Sequence, residues 1–209
     1  MEAKGRIFTG IRAGRGYDLF APLFGMGEGF FTQAAEGAEL EPGMKVLDLG
    51  CGTGKLTFAL AKNAPAGVEF HGCDYSPDQV ARAEVSKKNY AASIDFRHGS
   101  MDELDFEDGC FDLVVCCMAL HAVHPAIRPA AVRNACRMLK AEGRFLLVDI
   151  ATPQPGILAA LFSIFGAAHG KAAYDPAGVD ALFSECGFAQ VSERYLNSLV
   201  KKQVFVRLA

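Results

Sequence analysis

The segment running from Cys116 to Pro125, CCMALHAVHP, places two thiols and two imidazoles within ten positions. Such groups bind metal, exchange electrons or move protons, and spacing separates these uses. A closed zinc site wants pairs such as Cys-x-x-Cys with a second pair elsewhere. Cys116 and Cys117 are adjacent, so on a strand their side chains point to opposite faces and do not chelate one ion. His121 and His124 can share a helical face, but two ligands do not close a site, and no metal is expected. A neutral histidine can instead take a proton from a phenol, an amine or an activated carbon. His121 and His124 are therefore the candidate catalytic bases. Helix capping or core packing is the structural alternative for each.

A second stretch points to a ligand. VLDLGCGTGK (46–55) ends an apolar run and opens a helical pattern. Gly50, Gly52 and Gly54, with Cys51 between them, let the backbone turn tightly and lie close to a bound molecule. The helix start that follows offers unpaired N–H groups. Asp74 ends the next strand and can accept from a ribose diol. A dinucleotide fingerprint needs G-x-G-x-x-G, whereas Lys55 stands at the third glycine position here. Asp48 would repel a pyrophosphate and would favour a ligand with an α-amino group.

These groups require a scaffold. KVLDLG (45–50), VEFHGCD (68–74), SIDFRHG (93–99), FDLVVCCM (111–118) and GRFLLVDI (143–150) read as strands, the fourth apolar throughout and so central. Helical patterns separate them, at 55–62, after the Ser76-Pro77 cap, and from Pro125 to Lys140. Asp175-Pro176 opens a further helix that Gly187 closes. AQVSERYL and KKQVFVRLA then form an antiparallel hairpin, with Lys201 and Lys202 as charges guarding a sheet edge. The expected fold is α/β: a Rossmann-like, seven-stranded, mostly parallel sheet with a C-terminal antiparallel hairpin and helices on both faces. In such sheets ligands bind beyond the carboxyl ends of the strands. Cys116 and Cys117 leave the fourth strand there, where a backbone carbonyl can accept from a cofactor's amino group.

Taken together, VLDLGCGTG, GCDYS (72–76), HGSMDELDFEDGCFDLVV (98–115) and MLKAEGRFLLVDI (138–150) resemble the class I S-adenosylmethionine-dependent methyltransferases. Within them, YDLFAPLFG (17–25) and ALHAVHP (119–125) are most similar to the ubiquinone/menaquinone-biosynthesis branch. The resemblance implies S-adenosyl-L-methionine as cofactor, S-adenosyl-L-homocysteine as product, and a small-molecule acceptor that is apolar, quinol- or lipid-like. It places Tyr75 and Met101 on the adenine faces. It also places Ser100 where the family usually has an acid, with Asp102 as the substitute. Tyr17 would close the pocket from an N-terminal helical lid, residues 1–40, ahead of a methyltransferase domain at 41–209. The alternatives are a non-catalytic S-adenosylmethionine-binding protein and a nicotinamide-dependent oxidoreductase.

Bulk properties agree. The chain has 209 residues, 51% hydrophobic and 22% charged, enough for one domain with a lid. A net charge of −3 gives no basic excess for nucleic acid. The start lacks a signal-peptide apolar region, so a cytoplasmic protein with reduced thiols is expected. Residues 157–168, ILAALFSIFGAA, fall short of the ~20 needed to span a bilayer, and stable membrane insertion is not expected. They read as a lid over a greasy substrate, a homodimer contact or core.

Overall fold

The computed structural model describes residues 28–152, 154 and 175–208. Tyr17, most of the expected lid and the 157–168 stretch lie outside them. The described chain forms α1 (Glu28–Ala35), β1 (Lys45–Leu49), α2 (Lys55–Ala61), β2 (Glu69–Asp74), α3 (Pro77–Ser86), β3 (Ser93–His98), β4 (Phe111–Cys117), α4 (Arg128–Met138), β5 (Leu139–Ile150), α5 (Pro176–Glu185), β6 (Phe188–Tyr195) and β7 (Val200–Arg207). Short 3₁₀ turns cover Leu120–Ala122 and Pro125–Ile127. The expected helix from Pro125 therefore starts in 3₁₀ form and becomes α-helical only at Arg128.

The seven strands pair in the order β3-β2-β1-β4-β5-β7-β6. The first five are parallel, and β7 runs antiparallel between β5 and β6. Strand order reverses between β1 and β4, where an open α/β sheet forms its ligand crevice. Strand alternation sorts the side chains into two cores. On one face Leu47, Val114, Cys116, Phe145 and Leu147 pack with Ala131, Ala135 and Met138 of α4 and Phe183 of α5. On the other, Val46, Leu113, Val115, Leu146 and Val148 pack with Phe30 and Ala34 of α1, Leu56 and Leu60 of α2, and Val80 of α3. Helices thus cover both faces, as the strongly apolar β4 requires at the sheet centre.

The edge reading of Lys201 and Lys202 is corrected. β7 is an interior strand and β6 is the edge. Lys202 is buried, and its Nζ donates to the Glu36 carbonyl just beyond α1. Arg144 on β5 adds donations to the carbonyls of Ala38 at 2.7 Å and Glu39 at 3.0 Å. These cations satisfy carbonyls of the turn that follows α1. Among the described residues no helix is long and apolar enough to cross a membrane.

Candidate active site

A cleft of about 310 Å³ opens at the carboxyl edge of the sheet, where β1 and β4 diverge. Gly50 and Cys51 both donate from their backbone N–H groups to the Cys73 carbonyl, at 2.8 and 2.9 Å, which folds the loop after β1 against β2. Gly50 has φ +73°, and a Cβ there would overlap the Ala119 side chain from the β4 exit. The loop and the β4 exit therefore approach as closely as only glycine allows. Gly54, φ +83°, caps α2 with its backbone against Phe58 and Phe96.

Asp74 sits at the end of β2. Its Oδ2 accepts from Gly52 N at 2.9 Å and its Oδ1 from Ser76 N at 2.8 Å. Burial pushes its carboxyl above the usual range, and the two amide donors pull the other way. Each oxygen keeps a second lone pair. Asp48 lies behind the loop, 2% exposed, with Oδ2 accepting from Thr57 Oγ1 at 2.6 Å. Burial pushes it up to about 7; the Thr57 bond opposes this and the Asp74 charge adds to it.

The remaining wall comes from the β3 and β4 exits. Tyr75 is half-buried and its carbonyl lies 3.1 Å from His98 Nε2. The Ser100 hydroxyl donates to Asp102, which does not itself line the cleft. Met101 is held through its carbonyl by Asn134 Nδ2 at 3.2 Å. Met118 adopts φ +52° and donates to the Val148 carbonyl at 2.7 Å. Left-handed backbone at a non-glycine residue is costly and concentrates at functional sites.

Of the expected cofactor residues, Gly50, Cys51, Gly52, Asp74, Tyr75, Ser100, Met101 and Cys117 line this one cleft. Asp48, Gly54 and Cys116 do not; they support it from the interior. Cys116 joins one core and Cys117 packs against the other, as adjacent strand residues must. Burial holds the thiols of Cys51, Cys116 and Cys117 well above their ordinary value and that of Cys73 at about 12. They are thiols at neutral pH, not thiolates. Among the described residues no cluster of three or more metal-ligating side chains forms.

The two histidines part company. His121 lines the cleft, and its Nδ1 lies 2.6 Å from Asp149 Oδ1 at the end of β5. His124 is exposed and outside the cleft; its Nδ1 accepts from Ala126 N at 3.3 Å and caps the 3₁₀ turn. Sequence reasoning passed over Asp149 and also Phe31 of α1, which lines the cleft beside Lys55. Asp149 carried a readable signal: it ends a strand on the same edge as Asp74. Phe31 carried none, since it is one apolar residue within an amphipathic turn.

The residues fit a ligand with a diol, a flat ring and a positive charge. Asp74 suits the diol, Tyr75 and Met101 the ring, and two acids, Asp74 on the cleft wall and Asp48 behind the glycine loop, disfavour phosphate. Residues 46–143 match a family model described as a methyltransferase domain. An uncharacterized methyltransferase of Synechocystis sp. is 32% identical over 167 residues, which cover 78% of this chain and 76% of that protein. The ubiquinone/menaquinone biosynthesis C-methyltransferase UbiE of Geotalea uraniireducens is 27% identical over 153 residues, 71% of this chain. The chain spans only 64% of that relative's length. The crystal structure of magnesium protoporphyrin IX methyltransferase from Synechocystis, with bound S-adenosylhomocysteine, shares the fold. It superposes with a TM-score of 0.64 at 23% identity, covering 79% of this chain and 75% of that one.

Proposed function

This chain belongs to the S-adenosylmethionine-dependent methyltransferases, and on that premise we propose that it methylates a small-molecule acceptor in the cleft between β1 and β4. One observation carries the reading: the glycine loop, Asp74 and His121 converge on a single cleft at the topological switch point. The Gly50–Gly54 turn and Asp74 would hold the cofactor, with Tyr75 and Met101 beside its ring. When bound, S-adenosylmethionine supplies an electrophilic methyl group on a sulfonium. The protein's own work is then alignment and water exclusion, with His121 placed to take a proton. Apolar wall residues such as Met118, Ala119, Val123 and Ile127 favour an apolar acceptor, in keeping with the quinone-pathway name of one relative.

Calorimetry with S-adenosylmethionine, S-adenosylhomocysteine, NAD and NADP tests the reading. The first two are expected to bind and Gly52→Arg to abolish their binding. Gly52 has φ +55°, and a Cβ there would come 3.0 Å from Gln79 Oε1 before the arginine reaches into the cleft. Selective NAD or NADP binding, or an unaffected Gly52→Arg protein, would sink it. Binding without turnover of any acceptor would leave a cofactor-binding protein.

A further inference from the structure

Residues 99–110 join β3 to β4 with no helix or strand of their own, yet they supply Gly99, Ser100 and Met101 to the cleft wall. A segment outside any ladder needs other partners for its carbonyls. Two side chains of α4 provide them. Arg137 donates from Nη1 to the Phe106 carbonyl at 2.7 Å and from Nη2 to the Leu104 carbonyl at 3.2 Å. Asn134 donates from Nδ2 to the Met101 carbonyl at 3.2 Å. The two side chains are also joined, since Asn134 Oδ1 accepts from Arg137 Nε at 3.1 Å and Nη2 at 2.8 Å. A guanidinium only donates and a backbone carbonyl only accepts, so a single orientation of the Asn134 amide serves both. Gly109 N donates to the Arg137 carbonyl at 3.0 Å and closes the far end. The Arg137–Asp108 ion pair adds little, because the Asp108 side chain is 78% exposed.

Met101 passes this restraint to the cleft. It is buried, and its Cε lies 3.5 Å from where a Cβ on Gly50 would stand, so its side chain rests against the glycine loop. A shift at Met101 would change the gap between the β3 exit and Gly50. Resting on the methyltransferase reading above, we propose that Asn134 and Arg137 are positioning residues for the cofactor: they fix residues 101–106 so that Met101 closes the ring side of the cleft against Gly50. Neither side chain lines the cleft. They act on cofactor affinity and not on the transfer step, because the turn that carries His121 is held separately, by Asp149 and Arg128. A contact serving stability alone would need only the bonds between Arg137 and the loop. The bond from Asn134 to Met101 is the one that reaches a cleft residue.

Asn134→Asp separates the two roles in the full chain. Its carboxylate still accepts from Arg137, now with opposite charge, but cannot donate to Met101. Its melting temperature is expected to stay within about 3 °C of the unaltered protein. Calorimetry is expected to show S-adenosylhomocysteine binding weakened about fivefold, the order of one hydrogen bond. Hydrogen exchange without ligand, followed by mass spectrometry, is expected to quicken in residues 100–106 and to stay unchanged in β4. Unaltered affinity overturns the proposal, and so does unaltered exchange in the loop. A melting temperature that falls further while affinity holds marks a purely structural contact and overturns it too. If Asn134→Asp fails to fold, Arg137→Lys, which keeps the charge and loses the planar fork, is held to the same affinity and exchange outcomes. If S-adenosylhomocysteine does not bind the unaltered protein, the methyltransferase reading itself has failed. That outcome is distinct, because the exchange measurement reads the hold on the loop with no ligand present.

Discussion

Asp48 makes cofactor affinity depend on pH in a way that can be worked from its surroundings. Its carboxyl is raised from 3.8 to about 7, with burial as the largest cause. That is roughly three pH units, on the order of 4 kcal/mol disfavouring the ionised form. The sign follows directly. Between about pH 4 and 7 the folded protein holds a proton that the unfolded chain has lost, so this group's contribution to stability falls as pH rises through that window. A cation bound near the glycine loop favours the ionised form and expels the proton. Affinity for S-adenosylmethionine should therefore rise with pH, by up to about tenfold per unit below 7, and level off above it. The ligand's α-amino group, ordinarily about 7.7–8.0, stays charged across this range. The neighbouring thiols are held protonated and do not titrate there. Titration calorimetry at pH 5.5, 6, 6.5 and 7, in two buffers of different ionisation enthalpy, counts the protons released. Asp48→Asn should remove most of the slope. A flat wild-type profile, or an equal slope in Asp48→Asn, would refute the reasoning.

Three further outcomes are expected. Gly50→Ala forces a Cβ into Ala119 at a left-handed backbone position; it should cost about 1–3 kcal/mol in thermal unfolding and weaken S-adenosylhomocysteine binding at least tenfold. His124→Ala removes only an exposed cap, so stability should fall by no more than about 1 kcal/mol, with turnover within about twofold by radiolabel transfer. Phe183→Ala empties a site where the ring packs on Phe145, Phe188 and Phe205; urea unfolding should register about 3–5 kcal/mol, with cofactor affinity of the folded protein unchanged.

The parallel core was legible because each strand announced itself locally. FDLVVCC reads as central from composition alone, and it sits between β1 and β5. The glycine loop was equally legible, since three positive-φ turns at fixed spacing need three glycines in a row of five. What escaped was whatever depends on which strands become neighbours. Lys202 reads as an edge charge until β7 is known to lie inside the sheet, where its ammonium reaches the Glu36 carbonyl. Leu139 and Lys140 read as the end of a helix and the fifth strand as starting at Gly143, yet β5 begins at Leu139 with a register shift against β4, and Glu142 takes φ +61°.

Asp149 shows the same limit at the site itself. Asp74 was found because a carboxylate after the second strand follows the glycine loop at a fixed interval. Asp149 is an equal acid on the same edge, but its partner lies 28 residues earlier. The two meet because β4 and β5 pair in parallel, Cys117 beside Val148. Met118 then bends to donate to the Val148 carbonyl, and that bend returns the 3₁₀ turn over the end of β5. The strained backbone at Met118 is thus what brings a histidine found by its chemistry to an acid hidden by its distance. Met118→Pro, which removes the N–H donated to Val148 and fixes φ near about −65°, should break the bend and part His121 from Asp149. Unchanged NMR signals of the His121 side chain and amide in the folded proline variant would show that the bend is not what holds the pair.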